Sequence, residues 1–300
     1  MRNKKQGALR MYRYLRAIGL GKYNTKKKIR ELTDYVKKEH TRQDSYQINE
    51  AEELVIYEKD FGEAIGVAVA EVTEKGEAER DFFFPYVRGL NCLFHENPEF
   101  EKYTSCHEYA CICDENNLGI PLIFHVNNII EYLKRKNGMF QEEFNCITLS
   151  GLSCGGMVIL PIERDEHQRK KERQGNEIRN QMIDAAKAGD VEAMEQLTLE
   201  DMDTYTLVSN RSKKEDIFTI VNSYFMPHTV ECDKYSVLGD IIDVSTMKNN
   251  MTGEEFYYIS LECNSIQIEF TIAKSDIMGV PEKGRRFKGY IWLQGEVDCM

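Results

Sequence analysis

Apolar residues first recur with a helical period between Thr25 and His40, where Ile29, Leu32 and Val36 share one face and the opposite face is almost all charge. Thr25 is a suitable N-cap for that helix. The period then shortens to two. LVIYE at 54–58, IGVAVAEV at 65–72 and DFFFPYVRG at 81–89 read as strands of β-branched and aromatic residues, with turns at Gly62-Glu63 and Lys75-Gly76. Residues 102–114 alternate as a further strand. A helix is predicted from Pro121, tolerated in a first turn, burying Leu122, Val126, Ile129, Ile130 and Leu133 and ending in the basic run before Gly138. FNCITLSG and GGMVILPI then read as a hairpin with its turn at GLSCGG.

From 163 to 225 the pattern is helical. Ala188-Gly189-Asp190 ends one helix and caps the next, Thr198 caps a short one, and Ser212 with Glu215 forms a capping box. Behind the box, Ile217, Ile220, Val221 and Tyr224 form a stripe that Pro227 terminates. Four strand patterns follow: YSVLGDIIDVSTM, EEFYYISLEC, SIQIEFTIA and RRFKGYIWLQGEV, with one helical turn at 275–278 before the last. Three strands, a short helix and a returning strand predict a small barrel of the OB type. The fold class is therefore α+β: N-terminal helices with an antiparallel sheet over 1–162, a helical connector over 163–230 and an OB-like β domain over 231–300.

Composition changes this picture little. In 300 residues, 42% are hydrophobic and 30% charged, as in ordinary globular chains. No stretch approaches the roughly 20 apolar residues that cross a bilayer, no cleavable leader is evident, and nine scattered cysteines suit mostly reduced thiols without a disulfide framework, so a cytoplasmic location is expected. Charge is more telling. Residues 1–30 carry eleven Lys or Arg and no acid, which leaves 28 basic against 50 acidic residues in the rest. A basic arm suits an anionic partner, but an acidic body repels phosphates.

Each candidate for chemistry has a structural counterpart. Gly151-Leu-Ser153-Cys154-Gly155 fits a hydrolase elbow, yet a strand rather than a helix follows it. His95, Cys106, His107, Cys111 and Cys113 cluster without the spacing of a zinc site, so no metal and no cofactor is assigned. Glu200, Asp201 and Asp203 suit a first helical turn. His228, Glu231 and Asp233, beside Cys232 at the junction of the helices and the barrel, are the weak catalytic candidates. Arg285, Arg286, Lys288 and Trp292, with Tyr257 and Tyr290, form the candidate binding strand. Residues 235–300 nevertheless hold six basic against ten acidic side chains, which disfavours a polynucleotide. Trp292 also fits a core.

The blocks MYRYLRAIG at 11–19, FFFPYVRG at 82–89, CD at 113–114 and LIFHVNNIIEYL at 122–133 resemble the opening half of a family of uncharacterised proteins, a domain of unknown function from clostridial-type anaerobic Gram-positive bacteria. GDVEAMEQLTLEDMDTY, KKEDIFTIVNSYFMP, ECDKYSVLGDI, TGEEFYYISLECN and GRRFKGYIWLQG are similar to its remaining blocks, in the same order. The resemblance starts at Met11, so either Met1 or Met11 is the start it implies. It also implies that Cys106, His107, Cys111 and Ser153 are not shared features, which weakens the metal and hydrolase readings. It brings no activity. The leading expectation is a non-catalytic binding or scaffold protein with a protein partner and no membrane. An enzyme with a cleft near 228–233 is the alternative, and a nucleic-acid binder using the N-terminal arm and barrel is the third.

Overall fold

The computed structural model describes residues 11–74, 76–93, 98–103, 106–115, 118, 120–137, 146–162, 166–228 and 233–298. Helix α1 (Lys26–Lys38) forms where its period places it, with the Thr25 hydroxyl accepting from the Lys28 N–H and Ile29, Leu32 and Val36 buried. It lies against an antiparallel meander in the order β1 (Arg42–Gln47), β2 (Glu52–Asp60), β3 (Ile65–Glu74), β4 (Glu77–Val87). β3 is a central strand buried from Ile65 to Glu71, which explains the unbroken apolar run IGVAVA. β1 is a polar edge, RQDSYQ, and carries no alternation by which the pattern could reveal it.

A second, eleven-stranded sheet holds the rest. Its first members are β5 (Cys92–Leu93), β6 (Glu99–Lys102), β7 (Tyr109–Glu115) and β8 (Ile120–Val126). Here the predicted helix at Pro121 gives way to a strand: Leu122, Phe124 and Val126 are buried at period two, and helix α2 (Ile129–Lys136) starts only after Asn127-Asn128. Pro121 is tolerated because β8 meets its neighbour β15 (Arg286–Asp298) only at His125 and Val126. The Tyr235 hydroxyl replaces the missing ladder by bonding both the N–H and the C=O of Ile123, at 2.8 and 3.2 Å.

β9 (Cys146–Ile159) is a single long strand, not the expected hairpin. The glycines of GLSCGG are there for close approach: a Cβ on Gly151 would lie 2.2 Å from Ile291, and one on Gly156 would lie 2.3 Å from the Phe287 ring. Helices α3 (Glu166–Lys187) and α4 (Val191–Arg211) follow as a hairpin. Gly189 adopts a φ of 95° at its tip, and Asp190 caps α4 by accepting from the N–H groups of Glu192 and Ala193. Thr198 sits inside α4 rather than capping a helix. The Ser212 box is not formed either: Glu215 pairs with Arg211, and Asp216 caps the one-turn α5 (Ile217–Ile220). The stripe expected to continue helically through Tyr224 becomes β10 (Tyr224–Pro227).

The last strands are β11 (Lys234–Lys248), β12 (Glu255–Cys263), β13 (Ile266–Ala273), β14 (Ile277–Met278) and β15. β11, β12, β13, β9 and β15 pair in that order, and β15 pairs back to β11, closing a five-stranded barrel. β9 belongs to the first half of the chain and runs parallel to β13. Strands from both sides of residue 162 therefore share one sheet and one core, filled by Trp292, Tyr235, Phe256, Phe270 and Phe287 in the barrel and continuous with Phe84 and Phe124.

Candidate functional site

The cleft best furnished for binding lies between the first sheet and the start of α2, with a volume of about 440 Å³. β1 and β2 contribute Arg42, Asp44 and Glu58, Arg88 enters just after β4, Asn127 to Glu131 form the opposite wall, and Glu296 of β15 closes it. None of these segments adjoins all the others in the chain, so the cleft exists only once the two sheets meet.

Its first wall is an ionic network. Arg88 bonds Asp60 at 2.9 Å, reaches Glu58 at 3.4 Å and Glu296 at 3.7 Å, and lies over the Tyr86 ring. Arg42 pairs with the same Glu58 at 2.9 Å, and the Tyr86 hydroxyl donates to Asp60 at 2.7 Å. Burial raises the Glu58 carboxyl above the ordinary glutamate range, although Arg42 pulls it down. Burial also pushes the Tyr86 phenol up, helped by its bond to Asp60, so it stays a hydrogen-bond donor. Burial lowers Arg42, but Glu58, Tyr86 and Asp60 outweigh it and leave the guanidinium above its usual range. Gly66 makes this packing possible, since a Cβ there would stand 2.2 Å from the Tyr86 hydroxyl. Beyond the cleft, Gln294 accepts from the Val87 N–H and donates to the Pro85 carbonyl, and the Tyr258 hydroxyl donates to the Arg88 carbonyl. The arginine is thus anchored to the barrel.

The second wall is built by the turn into α2. Asn128 donates to the Val297 carbonyl at 2.9 Å and accepts from its N–H at 3.0 Å, while Glu131 pairs with Arg135 and Asp44 with Lys134. Asn127 differs. Its backbone N–H is bound to Gly295, but its side chain is 5% exposed and neither its amide nitrogen nor its oxygen has a hydrogen-bond partner among the described residues. Leaving both ends of a buried carboxamide unpaired is costly, and both atoms are closed off from the cleft surface, so Asn127 has bonding capacity that is used only if its side chain turns.

The candidates read from the sequence lie elsewhere. Asp233 is buried and accepts from the Trp292 indole N–H at 2.9 Å and the Tyr103 hydroxyl at 3.3 Å. His228 is half-buried with its ring 4.1 Å from that of Tyr290, and Glu231 lies outside the described residues. Arg286 is buried and donates to the carbonyls of Leu160, Phe218 and Val221. Arg285 pairs with Glu282, Lys288 lies over the Phe218 ring, and Trp292 is fully buried. These four residues therefore do not form one exposed surface. Ser153 is fully buried on β9. Asp81 holds the His107 ring at 2.8 Å, and burial pushes the Cys113 thiol up to about 12. His95 lies outside the described residues. One disulfide, Cys92–Cys146, with Cα atoms 5.7 Å apart, fastens β5 to β9, while Cys106, Cys111, Cys113, Cys154 and Cys263 are outside any disulfide. No helix among the described residues is long and apolar enough to cross a membrane.

The profile of a family described as "Domain of unknown function, E. rectale Gene description (DUF3881)" matches residues 15–295. The chain belongs to this family. No curated protein and no solved structure matches the DUF3881 chain. Arg42, Glu58, Arg88, Asn127 and Glu131 all fall within the matched DUF3881 span. The sequence signal for them was slight: Arg88 ends FFFPYVRG, and Asn127-Asn128 is the polar break that divides β8 from α2.

Proposed function

We propose that this chain is a non-catalytic binding protein that takes a small polar ligand, neutral or cationic, into the cleft between β1, β2 and the start of α2. The observation that carries the reading is the Asn127 carboxamide, buried and unpartnered among the described residues just behind the surface of a 440 Å³ cavity that Asn127 lines, so that a ligand bonds it once the side chain turns into the cleft. A group offering an acceptor and a donor side by side, such as an amide or the edge of a nucleobase, matches both of its ends. The ionic wall supports the sign of charge. Arg42 and Arg88 are already engaged by Glu58 and Asp60, while Asp44, Glu131 and Glu296 add carboxylates, so a phosphate finds no unneutralised cationic cradle. Fixed, mutually paired charges suit holding a ligand more than moving its protons. The closed barrel supports an OB-like reading of the C-terminal part, with the β11–β12–β13 meander, a short helical turn and β15 completed by β9.

The test is thermal unfolding of the full chain with adenine, nicotinamide, glutamine and inorganic phosphate as separate probes. A ligand at a hundred times its dissociation constant adds about 2.7 kcal/mol, a readily measured shift. At least one amide-bearing or nucleobase probe is expected to stabilise the protein and phosphate is not. Asn127→Leu and Gly66→Ala, which removes the Tyr86 packing, should each abolish the shift. Absence of a shift with all three organic probes, or a shift unchanged in both variants, overturns the reading.

A further inference from the structure

The Cys92–Cys146 bridge joins positions 54 residues apart in the sequence. The chain between them carries β6, β7, β8 and α2, and with them the Asn127 to Glu131 wall of the cleft. Arg88, at the centre of the opposite wall, stands four residues before Cys92. One covalent bond thus fastens the stem of the second wall to the segment that leads from the first.

Strand register ties the bridge to the cleft a second time. β5, β9 and β15 lie side by side, so Cys92 opposes Thr148 and Thr148 opposes Glu296, while Leu93 opposes Ile147 and Ile147 opposes Val297. Glu296 closes the cleft and reaches Arg88 at 3.7 Å, and Val297 is the residue whose N–H and C=O are both bonded by Asn128. The fold does not depend on the bridge, because β9 pairs with β15 along most of its length and with β13 at Ser150 to Ser153. β5, by contrast, is two residues long, and the segment before it rests on the buried Glu269 carboxylate, which accepts from the Leu90 N–H at 3.0 Å and from the Asn91 amide. So short a strand is among the first elements to open.

Chemistry singles out the same pair. Cys92 is exposed, whereas burial raises the thiols of Cys111, Cys113, Cys154 and Cys263 and keeps them protonated. One bridge beside cysteines that stay outside any disulfide is the pattern of a redox couple rather than of a stapled scaffold.

We infer that Cys92–Cys146 is a reversible disulfide switch on the cleft. Closed, it holds the Arg88 segment on β9; reduced, β5 leaves β9 and the Arg88 wall loosens. A dithiol opens it by attacking Cys92, the exposed partner, and Cys146 departs and takes a proton. The second thiol then displaces Cys92, so that two electrons and two protons pass to the chain and the dithiol becomes a disulfide. A small disulfide such as oxidised glutathione runs the exchange backwards. The consequence for binding rests on the ligand reading of the cleft; the consequence for the Arg88 segment does not.

Hydrogen exchange of the full chain, read by mass spectrometry with and without dithiothreitol, tests the switch without a ligand. Reduction should add two hydrogens to the mass and speed exchange over residues 88–93 by about tenfold or more, while Gly151 and Leu152 of β9 stay protected. Oxidised glutathione should restore both. Cys92→Ser, at an exposed position, should exchange at the reduced rate whether or not dithiothreitol is present. With whichever of adenine, nicotinamide or glutamine stabilises the oxidised chain, reduction should weaken binding about tenfold. Equal exchange over 88–93 in the two forms, or a bridge that dithiothreitol opens only in the unfolded chain, overturns the inference, as does a probe bound equally by both. Failure of all three probes on either form removes the ligand reading alone, and the exchange difference then decides the switch.

Discussion

In the barrel, Trp292, Tyr235, Phe256, Phe270 and Phe287 are each less than 2% exposed, whereas along α4 residues of comparable size stand mostly in solvent. The same kind of side chain is used in the two regions for different ends. Barrel residues approach one another from strands far apart in sequence and gain the transfer free energy of apolar burial within one chain. The α4 residues gain almost none of it until something covers them. Apolar content alone therefore does not distinguish a core from a contact surface; the partner of each face does.

Truncation separates the two regions most sharply. Trp292→Ala removes a fully buried indole, takes one donor from the Asp233 carboxylate and should cost about 3–5 kcal/mol in a urea unfolding experiment. The cleft is intermediate, because its groups are partly buried but charged. Glu58 holds its proton more tightly in the folded chain than in the unfolded one. The folded state therefore binds more protons between the ordinary glutamate value of 4.5 and the raised one, and stability falls as pH rises through that window. Thermal melts across the acidic range should show this slope in the wild type and its loss in Glu58→Gln. The smallest effect belongs to the hairpin. Leu199→Ala, at a position 62% exposed, should change monomer stability by no more than about 0.5 kcal/mol. A cost as large as that of Trp292→Ala would mean that α4 is a core element and would erase the contrast.

Much of the architecture was legible in the residue pattern, for reasons that differ by region. Helix α1 carries an unbroken helical period, and β2 to β4, β11, β12, β13 and β15 are rich in β-branched and aromatic residues, with β3 as a continuous apolar run. The hairpin tip was legible because Gly189 and Asp190 do what their backbone and side chain allow. Residues 120–136 misled because a period of two over Leu122, Phe124 and Val126 runs straight into a helical period over Ile129, Ile130 and Leu133, and Pro121 is compatible with either. GLSCGG misled because glycine makes room for Ile291 and Phe287 as readily as it makes a turn. The cleft was hidden for a plainer reason. Its charged pairs join residues 42, 58, 88 and 296, and nothing local marks a partner that far along the chain.

Arg286 binds carbonyls on both sides of the helical hairpin, Leu160 before it and Phe218 and Val221 after it. One guanidinium thus holds entry and exit together, as a clasp does the two ends of a loop. The hairpin connects β9 to β10, which do not pair with each other, and Arg286 fixes both ends of that connection, so shortening the hairpin to a linker should leave barrel closure unchanged.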